Sequence, residues 1–317
     1  MSSCLSHIIR DHSLDFVCLQ ETHKKKFQDG YFRKIDPCTA FDWEWIPSMG
    51  KSGGILCGVR RERFEVVAWR KGKFILQVNV YDVNIKKIWT LCNVYGAAHD
   101  KDNQEFLVEL ADFCAHVQNP LLIGGDFNIL RHEEEKNKNW HRSPYTDMFN
   151  SVINAMCLSE IHMNGGMYTW TNNQVHPTLE KLDRILMSSD WEDLFPQVNV
   201  RKIVRDISDH NALLMSSDNH VVRVPQQKEF RFEISWLKSE EFLPLVEKIW
   251  NQHVKATDPI DVLNIKLKRF KKFFKGWGSN KFGHEKIRKR NIRDELAKIE
   301  KEEEGWYGRP SYVLQEN

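Results

Sequence analysis

No apolar run in the 317 residues approaches the ~20 needed to span a bilayer, and the opening MSSCLSHIIRDHS has no long apolar core of a secretory signal. Membrane-spanning and secreted classes are therefore not expected, and the default compartment is the cytosol or nucleus. The sequence also has no C-x-x-C pair. Its seven cysteines, an odd number, argue against both a disulfide framework and a zinc site. No segment recurs at a fixed period, which excludes solenoids and propellers. Net charge is scarce too, only +2 over the whole chain.

What charge there is lies unevenly. Twelve Lys or Arg stand between Leu263 and Arg293 against one acid, Glu285, so the rest of the chain carries a net −9. A mildly acidic body with a basic tail suits carboxylate-metal chemistry joined to a nucleic-acid-binding segment. A solvated charged helix has the same composition. Hydrophobic content of 41% with 28% charged residues is ordinary for a chain that buries a core. The length exceeds one average domain of ~150 residues, leaving one large domain with an appendage or two domains open.

Residues 1 to about 218 alternate strands and helices. A short helical pattern at Leu5 to Arg10 leads into an apolar strand at Asp15 to Gln20. Strands follow at Gly53 to Val59, Phe64 to Trp69, Phe74 to Val80 and Lys87 to Tyr95, rich in β-branched and aromatic residues. Phe106, Leu107, Leu110 and Phe113 give Gln104 to His116 helical spacing, and Pro120 to Asp126 is a fully apolar strand. Tyr145 to Cys157 reads as an amphipathic helix, and Leu182 to Met187, Val198 to Val204 and Ala212 to Met215 as strands. Runs of strands broken by helices suggest stacked sheets with outer helices. Residues 219–239 read as an extended linker with aromatic anchors, and 240–317 as a basic helical tail. In that tail, Glu240 to Val254 is a helix. Leu263, Leu267, Phe270, Phe274 and Trp277 line one face of a second, which Gly276, Gly278 and Gly283 interrupt. A last helix from about Glu285 to Glu304 ends in KIEKEEEG, where acids oppose the helix dipole and fraying is expected.

Several apolar strands deliver polar residues at their C-terminal ends: CLQET with Glu21, NVYG with Asn93 and Tyr95, and LLIGGDFN with Asp126 and Asn128. The pair LDR with Asp183 and ISDH with Asp209 and His210 reads as a fourth segment of the same pattern. Strand ends at one rim are where loops converge into a site, and clustered carboxylates suit a hard cation that polarises phosphate oxygens. Glu21 and Asp209 are candidate ligands. Asp126 and Asn128, two apart on an extended strand, would share a face, one taking a proton from water and the other orienting it. His210, with Asp183 to orient it, could hold phosphate or stabilise developing charge. Each signal has a bland counterpart: Asp126 fits an Asx turn, and S-D-H fits a turn or helix cap. The weight lies in the conjunction.

CLQET, NVYG, GGDFN, LDRIL and SDH, in that order, resemble the endonuclease/exonuclease/phosphatase superfamily of Mg²⁺-dependent phosphodiesterases. Within it, SGGILCGV, YTWTNN before KLDRILMS, and a trailing FRFEISWL resemble plant LINE-type retrotransposon proteins over residues 5 to about 255. The resemblance implies a four-layer α/β sandwich, two stacked mixed sheets flanked by helices, with a C-terminal helical extension. It implies a DNA nick that primes reverse transcription, with Mg²⁺, or Mn²⁺ in its place, as cofactor, and DNA as partner, with RNA a candidate for the tail. By position, Glu21 matches the metal-binding glutamate, Tyr95 a phosphate-contacting tyrosine, and Asp126 and Asn128 the pair that activates and places water. Thr169 matches a DNA-contacting position, Asp183 the carboxylate that orients the histidine, His210, and Asp209 the acid beside it. The family pattern opens with a strand carrying W-N-x-R-G, whereas this sequence starts inside the helix that follows, and no reverse transcriptase follows the tail. Poor cutting by the chain as given is therefore expected, with a retrotransposon remnant that binds nucleic acid through its tail as the competing reading. A phosphatase acting on small phosphorylated substrates fits YTWTNN and FRFEISWL less well.

Overall fold

The computed structural model describes residues 2–49, 53–205, 208–217, 232 and 234–307. In chain order the strands are β1 (Phe16–Leu19), β2 (Phe41–Ile46), β3 (Ile55–Arg60), β4 (Phe64–Lys71), β5 (Ile75–Asp82), β6 (Lys87–Tyr95) and β7 (Leu121–Asp126). They continue with β8 (Ser159–Glu160), β9 (Met163–Asn164), β10 (Trp170–Thr171), β11 (Leu179–Glu180), β12 (Asp183–Met187), β13 (Val198–Lys202) and β14 (Leu213–Ser217). The α-helices are α1 (Ser2–Asp11), α2 (Asp29–Ile35), α3 (Asn103–Ala115), α4 (Pro144–Ala155), α5 (Ser189–Leu194), α6 (Phe242–Trp250) and α7 (Pro259–Tyr307). The chain forms two compact units, Met1–Asn219 with Glu300–Asn317, and His220–Ile299.

In the first unit, six strands in the order β4-β5-β6-β7-β12-β8 make one sheet, parallel only between β6 and β7. Period-2 alternation lets these strands bury both faces. One face, with Ile75, Cys92, Val94, Leu121 and Ile123, packs under Phe106 and Leu110 of α3 and Phe149 and Ile153 of α4. The opposite face, with Leu76, Val78, Leu91 and Leu122, packs on two three-stranded sheets, β1-β3-β2 and β14-β13-β9, through Ile55, Cys57, Met163 and Val200. Ile9 of α1 covers Val17 and Phe41 on the far side of β1 and β2. Helix, sheet, sheet and helix are thus the expected four layers. Local chemistry sets the boundaries: α4 starts at the Ser143 hydroxyl, which accepts from Tyr145 N–H, with Pro144 in the first turn.

The expected strands and long helices are present, with ends shifted by a few residues. The sequence reading did not anticipate α2, α5, β2 or the two-residue strands β8 to β11. In the second unit, Trp236, Phe242, Ile249 and Phe274 make a small core flanked by Phe270 and Trp277. The linker expectation at 219–239 lies mostly outside the described residues; its described end is a 3-10 turn, Ile234–Lys238. The tail corrects the expectation of two interrupted helices, because α7 runs unbroken through Gly276, Gly278 and Gly283. At Gly278 the glycine serves packing: a Cβ there would lie 2.6 Å from the Trp236 ring. Leu263 and Leu267, expected on the buried face, are half exposed.

One buried ion cluster ties the loop after β7 to β12. Arg184, 1% exposed, donates to Glu135 Oε1 at 2.9 Å and Oε2 at 3.0 Å, to Glu160 Oε2 at 3.2 Å and to the Ile129 carbonyl at 3.1 Å. Burial disfavours the Glu160 carboxylate, but Arg184, Lys181 and Arg131 outweigh it and hold its pKa at about 2. Removing one partner of such a cluster strands the others in low dielectric. Arg184→Met is expected to destabilise the first unit by about 3 to 5 kcal/mol in urea unfolding. Adding Glu135→Gln and Glu160→Gln should recover part of the loss. A single-variant loss near zero would show that the cluster contributes nothing.

Candidate active site

Strand register builds the site. Across the adjacent strands β6, β7 and β12, Tyr95 pairs with Asp126 and Asp126 with Asp183, so three polar side chains stand on one rung and share a face. That face is the one Leu122, Leu91 and Met187 turn toward the second sheet layer, so the rung lies at the rim of the interlayer core. Gly125 permits the close approach of β7 to β6: its φ is +145° and a Cβ would fall 2.0 Å from the Val94 carbonyl oxygen.

Two further segments complete the constellation. The loop after β1 turns at Glu21 (φ +48°), and Tyr95 Oη donates to Glu21 Oε1 at 2.5 Å. Burial and the Glu21 carboxylate raise the Tyr95 phenol well above its ordinary value. The turn after β13 carries His210, whose Nδ1 lies 2.8 Å from Asp183 Oδ2 and whose Nε2 lies 4.0 Å from Asp126 Oδ2. Backbone bonds from Thr171 N–H to the Asp209 carbonyl and from Asn211 N–H to the Thr169 carbonyl lock that turn to the 169–171 segment.

The electrostatics are poised. Asp126 is 4% exposed, and burial, then the Asp183 charge, raise its pKa from 3.8 to about 7 against the opposing pull of His210 and the Asn128 N–H; Glu21 adds to the rise. Burial alone would lower His210, but the hydrogen bond and charge of Asp183, with Asp126 and Asp209, raise it from 6.5 to about 9. At neutral pH this is a cationic imidazolium beside a carboxyl group that shares its proton with solvent.

A profile described as the endonuclease/exonuclease/phosphatase family matches residues 2–210. The chain belongs to that family. No curated protein sequence matches it. Among solved structures it is similar to the endonuclease domain of TRAS1, a telomere-specific non-LTR retrotransposon, at 14% identity and TM-score 0.53 over 69% of this chain and 93% of that one. A 3' phosphatase, NExo from Neisseria, bound to a product DNA hairpin, aligns at 17% identity and TM-score 0.55 over 68% and 93%. The AP endonuclease LMAP from Leishmania major gives 13% and 0.51 over 68% and 81%. At these identities the likeness is one of fold, and it agrees with the four layers.

Most of the family positions read from sequence meet at this rim, with three differences. Asn128 does not reach it by strand alternation, because β7 ends at Asp126 and Asn128 takes a left-handed turn (φ +54°). Its N–H donates to Asp126 Oδ1 at 3.0 Å, the Asx turn weighed for Asp126, and its amide donates to the Gly96 carbonyl at 3.3 Å. The Asp209 carboxylate accepts from Trp170 Nε1 at 3.0 Å and lies outside the donor atoms of Asp126, Asp183 and His210, which are within 4.8 Å of one another. The Thr169 side chain is fully buried and therefore out of reach of DNA. Its hydroxyl accepts from the N–H groups of Leu182 and Asp183 at 3.0 Å each, so it places Asp183 instead. The sequence reading missed Arg184, although it stands beside Asp183 in LDR, and Gln20, which donates to Asn93 at 2.5 Å. Charge next to a site carboxylate was the available signal for Arg184.

The raised Asp126 pKa has a stability consequence. A carboxyl whose folded value exceeds its unfolded value adds stability at low pH that is lost as pH climbs from 3.8 through about 7. Asp126→Asn has no such loss. Its melting temperature in metal-free buffer is expected to gain on wild type over that window and to hold the gain above it, by an amount equivalent to a few kcal/mol. A difference that stays flat or shrinks with rising pH would refute the buried, repelled carboxylate.

Proposed function

We propose that the first unit is a divalent-metal-dependent phosphodiesterase that cuts a DNA strand, of the retrotransposon endonuclease type. The observation that carries this reading is the cationic His210–Asp183 pair set 4.0 Å from the buried, half-titrated Asp126.

The donor set fits Mg²⁺, with Mn²⁺ as a substitute, because hard cations take carboxylate oxygens. Glu21, with Asp126 near it, would hold the ion, and Asp209, exposed beside His210, is the other candidate ligand. Asp126, Asp183 and His210 also have ligand-like spacing, with donor atoms within 4.8 Å of one another. When bound, the ion supplies Lewis-acid polarisation of phosphate oxygens. The chain supplies the rest. Asp126, whose carboxylate lies 4.0 Å from His210 Nε2, takes a proton from the attacking water, and Asn128 orients that water. His210 stays protonated and stabilises charge growing on the phosphate. Tyr95 fixes Glu21 with its one O–H, or turns it to a phosphate oxygen once Glu21 is taken up by the ion, and Asp183 holds the imidazole in place.

DNA as substrate is supported by the similarity to the TRAS1 endonuclease domain and to NExo, solved with a DNA hairpin. The twelve cations between Leu263 and Arg293 add a phosphate-seeking helix with little sequence preference, suited to DNA or RNA. The test is nicking of supercoiled plasmid with Mg²⁺. Nicking by wild type, even if slow, should stop with EDTA, and Asp126→Ala and His210→Ala should each lose about 10² to 10⁴ of its rate. Plasmid binding without scission would favour a non-catalytic nucleic-acid-binding protein. Equal nicking by wild type and Asp126→Ala would overturn the assignment of the site.

A further inference from the structure

The acidic end of α7 does not fray. In the first unit its carboxylates sit on a convergent set of anion donors. Arg205 donates from Nε to Glu300 Oε1 and from Nη2 to Glu303 Oε2, both at 3.1 Å, and its backbone N–H also donates to Glu300 Oε1, at 3.0 Å. Asn211 Nδ2 reaches Glu300 Oε2 at 3.2 Å. Lys202 Nζ binds Glu304 Oε1, and the Met167 N–H donates to Glu304 Oε2 at 3.0 Å. Gly166 leaves room for this pair, since a Cβ there would lie 2.4 Å from Glu304 Oε2 and 2.7 Å from Lys202 Nζ. The Lys202 side chain is only 6% exposed and that of Arg205 16%.

Three features make this more than an anchor. Two cations, two backbone N–H groups and a side-chain amide all converge on oxygens, the donor set that binds phosphate. The donors stand on the segments that carry the site: Asn211 follows His210, and Met167 leads into Thr169 and Trp170, which bridges to His210. The occupant is also held against an opposing bias, because acids in the last turns of a helix meet the negative end of its dipole. Residues 300, 303 and 304 share one helical face, so the whole cover can leave at once.

We propose that Lys202, Arg205, Asn211 and the Met167 amide form a subsite for the phosphate backbone of the substrate polynucleotide. The Glu300–Glu304 turn of α7 covers that subsite in cis as a displaceable carboxylate mimic. This rests on the reading of DNA as substrate and adds to it a second contact, beside His210, that holds the strand next to the reacting phosphate. The cover competes with DNA, so the free protein engages polynucleotide more weakly than its donors allow.

The experiment measures binding of the full chain, in EDTA, to a fluorescent mixed-sequence duplex. Glu300→Gln combined with Glu303→Gln and Glu304→Gln should bind about tenfold tighter than wild type. Its log K against log salt slope should steepen by about 0.9 for each phosphate gained. Adding Lys202→Gln and Arg205→Gln to that variant should abolish the gain. In wild type, backbone amides of the 300–307 segment should exchange hydrogen faster once duplex is added. If the triple variant is poorly folded, the exchange measurement decides alone. No gain in binding by a folded triple variant, or unchanged or slower exchange on adding duplex, overturns the subsite. Nicking by wild type that Asp126→Ala loses, without a binding gain, removes the subsite and leaves the nuclease reading intact. A binding gain in a protein that never nicks does the reverse.

Discussion

The register between β6, β7 and β12 is the constraint on which the site depends. A slip of one residue in either pairing would turn Asp126 away from Tyr95 or Asp183 and onto the helix-covered face. The register is fixed by burial on both sides of the sheet: Ile123 and Val94 belong under α3 and α4, Leu122 and Leu91 under the second layer. The apolar core therefore decides where three polar groups meet. Once they meet, like charges on Asp126 and Asp183 cannot both be unopposed in a buried place. His210 resolves this by carrying a proton.

Around that stressed rung, hydrogen bonds and ion pairs brace both neighbouring strands. Thr169 accepts from the two N–H groups that open β12, and Arg184 ties β12 to Glu135, Glu160 and the Ile129 carbonyl. These groups touch no reacting atom. They hold Asp183 from one side of the strand while the Asx turn at Asp126 and the Asn128–Gly96 bond hold the other. Strain resides at the turns that deliver Glu21 and Asn128, both with positive φ, and their neighbours fix those conformations.

Much of this was legible in the sequence, for physical reasons. Burial wrote β7 as an apolar run, and the polar residues closing β6 and β7 marked the rim; Glu21, Tyr95, Asp126, Asp183 and His210 could be named from their motifs, although Asp183 opens β12 and His210 sits in a turn, not at the C-terminal end of a strand. What failed were inferences that needed a partner distant in sequence. Thr169 sat in a DNA-contacting pattern, yet its hydroxyl is taken by backbone thirteen and fourteen residues on. The Trp170 Nε1–Asp209 bond, across 39 residues, could not be read from S-D-H alone. Gly278 signals a helix break until the Trp236 ring is placed against it. The KIEKEEEG end frays by the dipole argument unless Lys202 and Arg205, some hundred residues upstream, are known to meet it. Helix propensity and dipole are local terms, and these contacts are not.

The β7–β12 register sets Asp183 and Asp126 around His210 and so holds the imidazole charged. NMR titration of the His210 ring in metal-free protein tests it most directly. Wild type should titrate at about 9, and Asp183→Asn should fall steeply toward the ordinary 6.5 as burial regains the upper hand. A His210 that titrates near 6.5 in wild type and does not move in Asp183→Asn would contradict the account.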